Sequence, residues 1–210
     1  MAMDEGLLEA MPILQHPVLR FYGWSYPAAS FGYFQKHREV EQLTQLRPLV
    51  RRPTGGGIVP HDADWTYSLI FPRNHEWYGV SAKESYRRVH FWIKLAFERL
   101  GLQTELAPLG LKTQPGQCFV GHEQSDLLWH GRKIAGAAQR RRRDGLLIQG
   151  SVQPPSSAAN RADWEQAMRD AAISAYDVAW QEYQATVPLQ SRAQELVSSK
   201  YSQSSYNQRR

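Results

Sequence analysis

Two stretches of the chain hold residue types and spacings that could do chemistry. In the first, Arg51 and Arg52 precede Pro53-Thr54-Gly55-Gly56-Gly57, and His61, Asp62 and Asp64 follow. Three glycines in a row leave their N–H groups unshielded, so the backbone there can approach a phosphate or carbonyl oxygen closely. Two arginines beside them could grip an acidic head group. The run lacks the Gly-Lys-Ser or Gly-Lys-Thr continuation of a nucleotide phosphate loop. Its plainer reading is a flexible hairpin tip with incidental charge. His61 and Asp62 suggest metal or acid–base work, but their spacing fits no zinc signature and one cysteine completes no cluster. No metal is expected, and a single loop histidine is more often a hydrogen-bonding fixture.

The second stretch joins Cys118 to Lys133, Gly136, Ala137 and the block Arg140, Arg141, Arg142, Arg143. A free cysteine is often a small buried hydrophobe. A nearby cation would instead lower its pKa and make it a nucleophile. Lys133 is either that cation or a charge guarding a strand edge. Gly136, Ala137 and Ala138 make their strand small enough for a ligand or another backbone to come close. The arginine block reads as a solvated face or as a surface for an acidic partner or nucleic acid. No nucleic-acid motif accompanies the charge, so nucleic acid is not an expected partner.

The elements that must position these residues follow from pattern. A short helix is expected near 3–10, with Leu7 and Leu8 inward. Strands are expected at 18–24, 29–34, 49–52 and 65–71, the last rich in aromatic and β-branched residues, with a helix at 39–46. Ser81 and Glu84 form a capping box for a helix carrying Tyr86, Val89, Ile93, Phe97 and Leu100 on one stripe, which Gly101 stops. Strands at 125–129, 132–142 and 146–152 are joined by His130-Gly131 and Asp144-Gly145, the latter a strong hairpin signal. After a break at Pro154-Pro155-Ser156-Ser157, Asp163 and Gln166 are expected to cap a second long helix. Its stripe is Trp164, Ala167, Ala171, Val178 and Tyr183.

The predicted fold is α+β: a mixed, mostly antiparallel sheet packed with helices. Residues 1–187 are expected to form one folded domain. Residues 188–210, dominated by Ser, Gln and Arg, form a polar tail expected to be disordered and dispensable. With 210 residues the chain can bury a core without disulfides, and its lone Cys118 argues for a reducing compartment. No apolar run approaches the ~20 residues that cross a bilayer, and the acidic start at Asp4 and Glu5 carries no secretory n-region. A cytoplasmic protein without membrane partners is expected. Net charge is +5.

Taken together the motifs resemble the lipoate-protein ligase A / octanoyltransferase family, the cofactor transferases related to biotin protein ligase. The run from Arg51 to Asp62 is similar to the family's Arg-Arg-x-Ser/Thr-Gly-Gly-Gly-x-Val-x-His stretch. Lys133 to Arg141 resembles its Lys-Ile-x-Gly-Ser-Ala-Gln-Arg-Arg segment, and Gln149-Gly150-Ser151 its His/Gln-Gly-Ser. Ala137 stands where the family often has Ser, Gln149 where ligases commonly have His, and Pro60 precedes His61.

The resemblance implies a biotin/lipoate protein ligase-like catalytic domain that attaches an octanoyl or lipoyl group to a carrier lysine. Two chemistries compete within it. Octanoyltransferases take the acyl group from acyl carrier protein through a cysteine thioester and pass it to a lipoyl-domain or glycine-cleavage H-type carrier. ATP-dependent ligases make an acyl-adenylate, using ATP and magnesium. Cys118-Phe119 precedes the Lys133 motif much as the nucleophile does in cysteine-dependent octanoyltransferases, and Asp64-Trp65-Thr66-Tyr67-Ser68 is similar to their acidic-x-Thr-Tyr-Ser segment. The acyltransferase is the favoured expectation, with no tightly bound cofactor; the ligase and a non-enzymatic basic binding protein are the alternatives. Cys118 would attack the thioester and Lys133 would stabilise thiolate and oxyanion. Arg51, Arg52, Gly55, Gly56, Gly57, His61, Gly136 and Ala137 would hold the substrate, and Arg140–Arg143 would dock the acidic acyl carrier protein.

Overall fold

A computed structural model of the chain describes residues 1–112, 116, 118–155 and 160–209. Ser156 and Ser157 of the expected break lie outside them. In chain order the elements are α1 (Ala2–Leu14), β1 (Val18–Tyr22), β2 (Ala28–Phe31), α2 (His37–Leu43), β3 (Leu49–Arg51), β4 (Val59–His61), β5 (Trp65–Pro72), α3 (Glu76–Gly79) and α4 (Ala82–Arg99). There follow β6 (Glu105–Leu106), β7 (Leu111–Lys112), β8 (Gly121–His122), β9 (Leu127–Trp129), β10 (Arg132–Arg142), β11 (Gly145–Val152), α5 (Arg161–Tyr176), α6 (Val187–Leu196), a π turn at Val197–Tyr201 and α7 (Ser204–Asn207).

The main sheet has the order β1-β5-β11-β10-β9-β6, with every neighbouring pair antiparallel. β5 and β11 lie at its centre, and all eight residues of each are buried because helices cover both faces. On one face α4 and α5 set Ile93, Phe97 and Trp164 against Trp65, Tyr67 and Leu146. On the other, α1 and α6 set Leu8, Met11 and Leu189 against Ile70 and Leu147. A second sheet, ordered β3-β2-β4, pairs β2 parallel to β3 and antiparallel to β4. It carries the glycine run on the connection between β3 and β4. The fold is α+β, as expected.

Local signals operate as chemistry requires. The Ser81 hydroxyl accepts the Glu84 N–H at 3.2 Å and starts α4. His130 and Gly131 both take positive φ (49° and 73°), joining β9 to β10 in a tight turn. Two expectations at α5 are corrected. Its cap is Asn160, whose side chain accepts the Asp163 N–H at 3.0 Å, because the asparagine sits at the extended residue before the first turn. The helix ends at Tyr176, where Asp177 turns left-handed (φ 52°), so Val178 and Tyr183 leave its stripe.

The expected disordered tail is also corrected. Residues 187–207 form α6, the π turn and α7, burying Leu189, Ala193, Leu196, Tyr201 and Tyr206. Leu189 joins the α1 core, and Leu196 packs with Tyr201, Tyr206 and Ala2. Polar bonds reinforce the contact: the Glu5 carboxylate accepts from Lys200 Nζ at 2.5 Å and from Tyr201 OH at 2.6 Å. A segment this polar orders because a few apolar side chains at helical spacing suffice when a partner face already exists.

Candidate functional site

The glycine run is held from beneath by Arg52. Its Nη2 donates to the carbonyls of Gly55 and Gly57, both at 2.8 Å, and its Nη1 to Ser30 Oγ at 3.0 Å. Those carbonyls belong to the two peptides flanking the Gly56–Gly57 peptide, whose Gly57 N–H donates to Cys118 Sγ at 3.0 Å. Cys118 is anchored in return, its N–H donating to Ile58 O at 3.2 Å. A Cβ on Gly57 would lie 2.5 Å from Gly116 O and 3.1 Å from Cys118 N, so nothing larger than glycine lets the two loops meet. Burial pulls the Arg52 guanidinium below the ordinary arginine range, and a thiolate at Cys118 opposes that shift. Arg52 nonetheless stays charged, since arginine does not deprotonate in proteins. The cation bonded closest around the sulfur loop is thus an arginine.

Cys118, Lys133, Arg52, Gly56, His61, Gly136 and Ala137 line one cavity of about 480 Å³ that opens to solvent. Lys133 does not stand free in it. Its Nζ pairs with Asp126 Oδ2 at 2.7 Å and lies 5.3 Å from the centroid of the Phe119 ring, next to Cys118. Asp126 is fixed in turn by the Glu123 N–H at 2.6 Å. The small residues of β10 have a physical reason here. A Cβ on Gly136 would lie 2.7 Å from Lys133 Cε and 2.9 Å from Nζ, so the lysine folds back across the space glycine leaves.

His61 is a fixture with two partners. Its Nε2 is 2.7 Å from Ser30 Oγ, its Nδ1 2.8 Å from Asp64 Oδ2, and the Trp24 ring stacks on it at 4.1 Å. Ser151 Oγ donates to the same Asp64 oxygen at 2.6 Å. Ser30 had no local signal in the sequence; pairing of β2 with β4 brings it to the cavity. A second polar set supports the loop from the side. Thr54 Oγ1 donates to Gln149 Oε1 (2.9 Å), and Gln149 Nε2 donates to Asp4 Oδ2 (2.7 Å). Arg20 and Ser68 donate to the other Asp4 oxygen, both at 2.9 Å. Burial raises the Asp4 carboxyl, but the neighbouring cations and these hydrogen bonds outweigh it and hold the group below the usual carboxylate range. Gln149, where a ligase commonly has histidine, therefore acts as a neutral spacer between α1 and the glycine loop.

Arg51 is not brought to the cavity. Its Nε donates to Tyr206 O, its Nη1 to Tyr33 O and Gln35 O, and its Nη2 to Asn207 O and Arg209 O. The expectation that it holds substrate is corrected: it is a fully buried clamp between the β2–α2 loop and the C-terminal segment. The arginine block is divided as well. Arg140 donates to Pro53 O (2.9 Å) and lies over Tyr33, Arg141 donates to Val80 O (2.5 Å), and Arg142 pairs with Glu5 (3.1 Å). Arg143, with 92 % of its side chain exposed, projects into solvent at the hairpin tip.

The thiol thus rests on a backbone N–H at a cavity that Gly56, Gly136 and Ala137 help to line. A family model, the lipoyl protein ligase A/B catalytic domain, matches residues 1–161, and the chain belongs to that family. Octanoyltransferase LipM of Carboxydothermus hydrogenoformans is 40% identical over 159 residues, covering 72% of this chain and 59% of that protein. Octanoyltransferase LipM of Bacillus subtilis is 36% identical over 169 residues, with the same two shares. The chain thus spans 59% of the length of these curated relatives. Among solved structures, a lipoate-protein ligase A bound with ATP superposes with a TM-score of 0.76 at 19% identity, covering 99% of this chain and 94% of that one. The bi-partite lipoate protein ligase of Thermoplasma acidophilum gives 0.70 at 18% identity, covering 98% and 91%. At those identities the likeness is one of fold.

Proposed function

We propose that the chain is an octanoyltransferase that carries an octanoyl group as a thioester on Cys118 and delivers it, through an amide, to a lysine of a lipoyl-carrier protein. The observation that carries this reading is the Gly57 N–H on Cys118 Sγ at 3.0 Å, with the Arg52 guanidinium under the same loop. A thiolate is the nucleophilic form of cysteine, and the Gly57 N–H points at the sulfur that would carry its charge. Attack on a thioester exchanges one C–S bond for another, so little driving force is required. Lys133, held at the cavity by Asp126, and the N–H groups of the glycine loop would meet the charge that develops on the acyl oxygen. Gly56 and Ala137 leave room for the acyl chain, whose burial at ~0.8 kcal/mol per CH₂ would supply several kcal/mol.

The donor in this reading is octanoyl-acyl carrier protein and the acceptor a lipoyl-domain or H-type carrier. Arg143, beside Asp144 and the most solvent-exposed of the ion-paired arginines, would speed encounter with an acidic carrier. A lone thiol used as a nucleophile suits a reducing, cytoplasmic setting; among the described residues no helix is long and apolar enough to cross a membrane. The test is incubation with octanoyl-acyl carrier protein without ATP, followed by intact-mass analysis. Wild type should gain one octanoyl group on Cys118 and lose it to added lipoyl domain; Cys118→Ala should do neither. If Cys118→Ala remains active with free octanoate, ATP and magnesium, the ATP-dependent ligase takes the transferase's place.

A further inference from the structure

The cavity contains a hydrogen-bonded chain that the thioester step leaves unused. Arg52 Nη1 has only hydrogens to offer, so Ser30 Oγ accepts there, at 3.0 Å. The single Ser30 hydrogen is then available to His61 Nε2, 2.7 Å away. At the other ring nitrogen, Nδ1 faces the Asp64 carboxylate Oδ2 at 2.8 Å, an acceptor only, so a neutral imidazole carries its hydrogen on Nδ1 and Nε2 accepts from Ser30. Ser151 Oγ donates to the same carboxylate oxygen, fixing its orientation. The side chains of His61 and Asp64 are 2% and 1% exposed, so bulk water does not short-circuit the chain. Ser30 and His61 nevertheless line the cavity that Cys118 faces.

We propose that Ser30 and His61 form a proton relay for the amide-forming half-reaction, with Asp64 as its positioning residue. The proposal rests on the transferase reading above. In the first half-reaction one thiolate displaces another, and no proton need move. In the second, the neutral amine of the carrier lysine attacks the acyl carbon, the C–N bond forms, and the C–S bond breaks. Sulfur leaves as the Cys118 thiolate, back on the Gly57 N–H. The nitrogen must shed one proton to become an amide. That proton passes to Ser30 Oγ while the Ser30 hydrogen moves to His61 Nε2, and Asp64 stabilises the imidazolium that results. The components are those of a serine-hydrolase triad, but their use differs. Ser30 is fully buried and already gives one lone pair to Arg52, so it hands a proton on rather than attacking carbon.

Because the two half-reactions differ in proton demand, they separate a relay from a structural role. Single-turnover rates are measured with octanoyl-acyl carrier protein as donor and purified lipoyl domain as acceptor, for wild type, Ser30→Ala and Asp64→Asn. Ser30→Ala could fail to fold because it strips Arg52 of a partner; Asp64→Asn keeps the volume and reverses only one acceptor. Acylation of Cys118, in which no proton need move, should fall far less than transfer in either variant. Transfer from the acyl-enzyme to lysine should fall ~100-fold, the usual worth of general acid–base catalysis. Slowing of that transfer in deuterium oxide should be seen in wild type and vanish in the variants. Equal losses in both half-reactions, or unchanged transfer, would overturn the relay. Wild-type protein that never acquires an octanoyl group would instead overturn the transferase reading, a result visible before any variant is made.

Discussion

Arg51 and Arg52 are neighbours in sequence, yet their substitution should have opposite consequences, and Arg51→Met is the sharper test. Methionine keeps the stem against Phe31, over whose ring the guanidinium now lies at 4.7 Å, and deletes every N–H. Five carbonyls lose their donor: Tyr33, Gln35, Tyr206, Asn207 and Arg209. Those of Tyr33, Gln35, Asn207 and Arg209 belong to half-buried residues and can turn to water, whereas Tyr206 is buried. One carbonyl left dry gives a destabilisation of about 2 kcal/mol. For a chain of this length that is a fall in Tm of roughly 4–8 °C, at ~2–4 °C per kcal/mol. Calorimetry reads the shift, and limited proteolysis should show cleavage beginning within 197–209. Acylation of Cys118, measured well below the new Tm, should remain within a few-fold of wild type, because Arg51 does not line the cavity. An unchanged Tm together with lost acylation would refute this reasoning and make Arg51 a substrate residue.

Two further outcomes are expected. Gly136→Ala should displace Lys133 from Asp126, since its Cβ would lie 2.7 Å from Lys133 Cε; breaking that buried pair should lower Tm and slow acylation ~10-fold or more, as loss of a positioned charge does; wild-type rates would show that Lys133 is not needed where it sits. The Glu5 carboxyl is raised by burial but lowered more by Lys200, Tyr201 and Arg142, so its folded pKa lies below the ordinary 4.5. Docking of α6 and α7 should therefore be fully stabilised above pH 4.5 and weaken as pH falls through the folded value, a loss that a Tm-versus-pH series should show and that Glu5→Gln should flatten.

Much of the frame is legible because it is written locally. The Ser81 cap, the His130-Gly131 turn and the aromatic run of β5 each act within a few residues, and the structure realises all three. The C-terminal segment carried a fainter signal of the same kind: Leu189, Ala193 and Leu196 recur at helical spacing. A polar count over the whole tail hides it, since burying one narrow stripe on α1 asks for few apolar residues. Strand alternation could likewise have separated the two arginines. Arg51 ends β3 and pairs with Phe31, so its side chain leaves the sheet on the face opposite to that of Arg52.

What no local pattern reveals is the company a side chain keeps across the fold. Ser30 is an unremarkable residue of a short strand, and it meets His61 only through the β2–β4 register. Asp4 is fully buried in the first turn of α1, where a carboxylate is costly unless it is paired. Its partners Arg20, Ser68 and Gln149 come from three different strands, β1, β5 and β11. The same holds for the thiol. Spacing ties Cys118 to Lys133, but loop closure ties it to Arg52: the guanidinium holds the Gly55 and Gly57 carbonyls, in the two peptides flanking the one whose Gly57 N–H donates to sulfur. The glycine motif thus acts on the cysteine through its backbone, with Arg52 as the residue that pins that backbone on both sides.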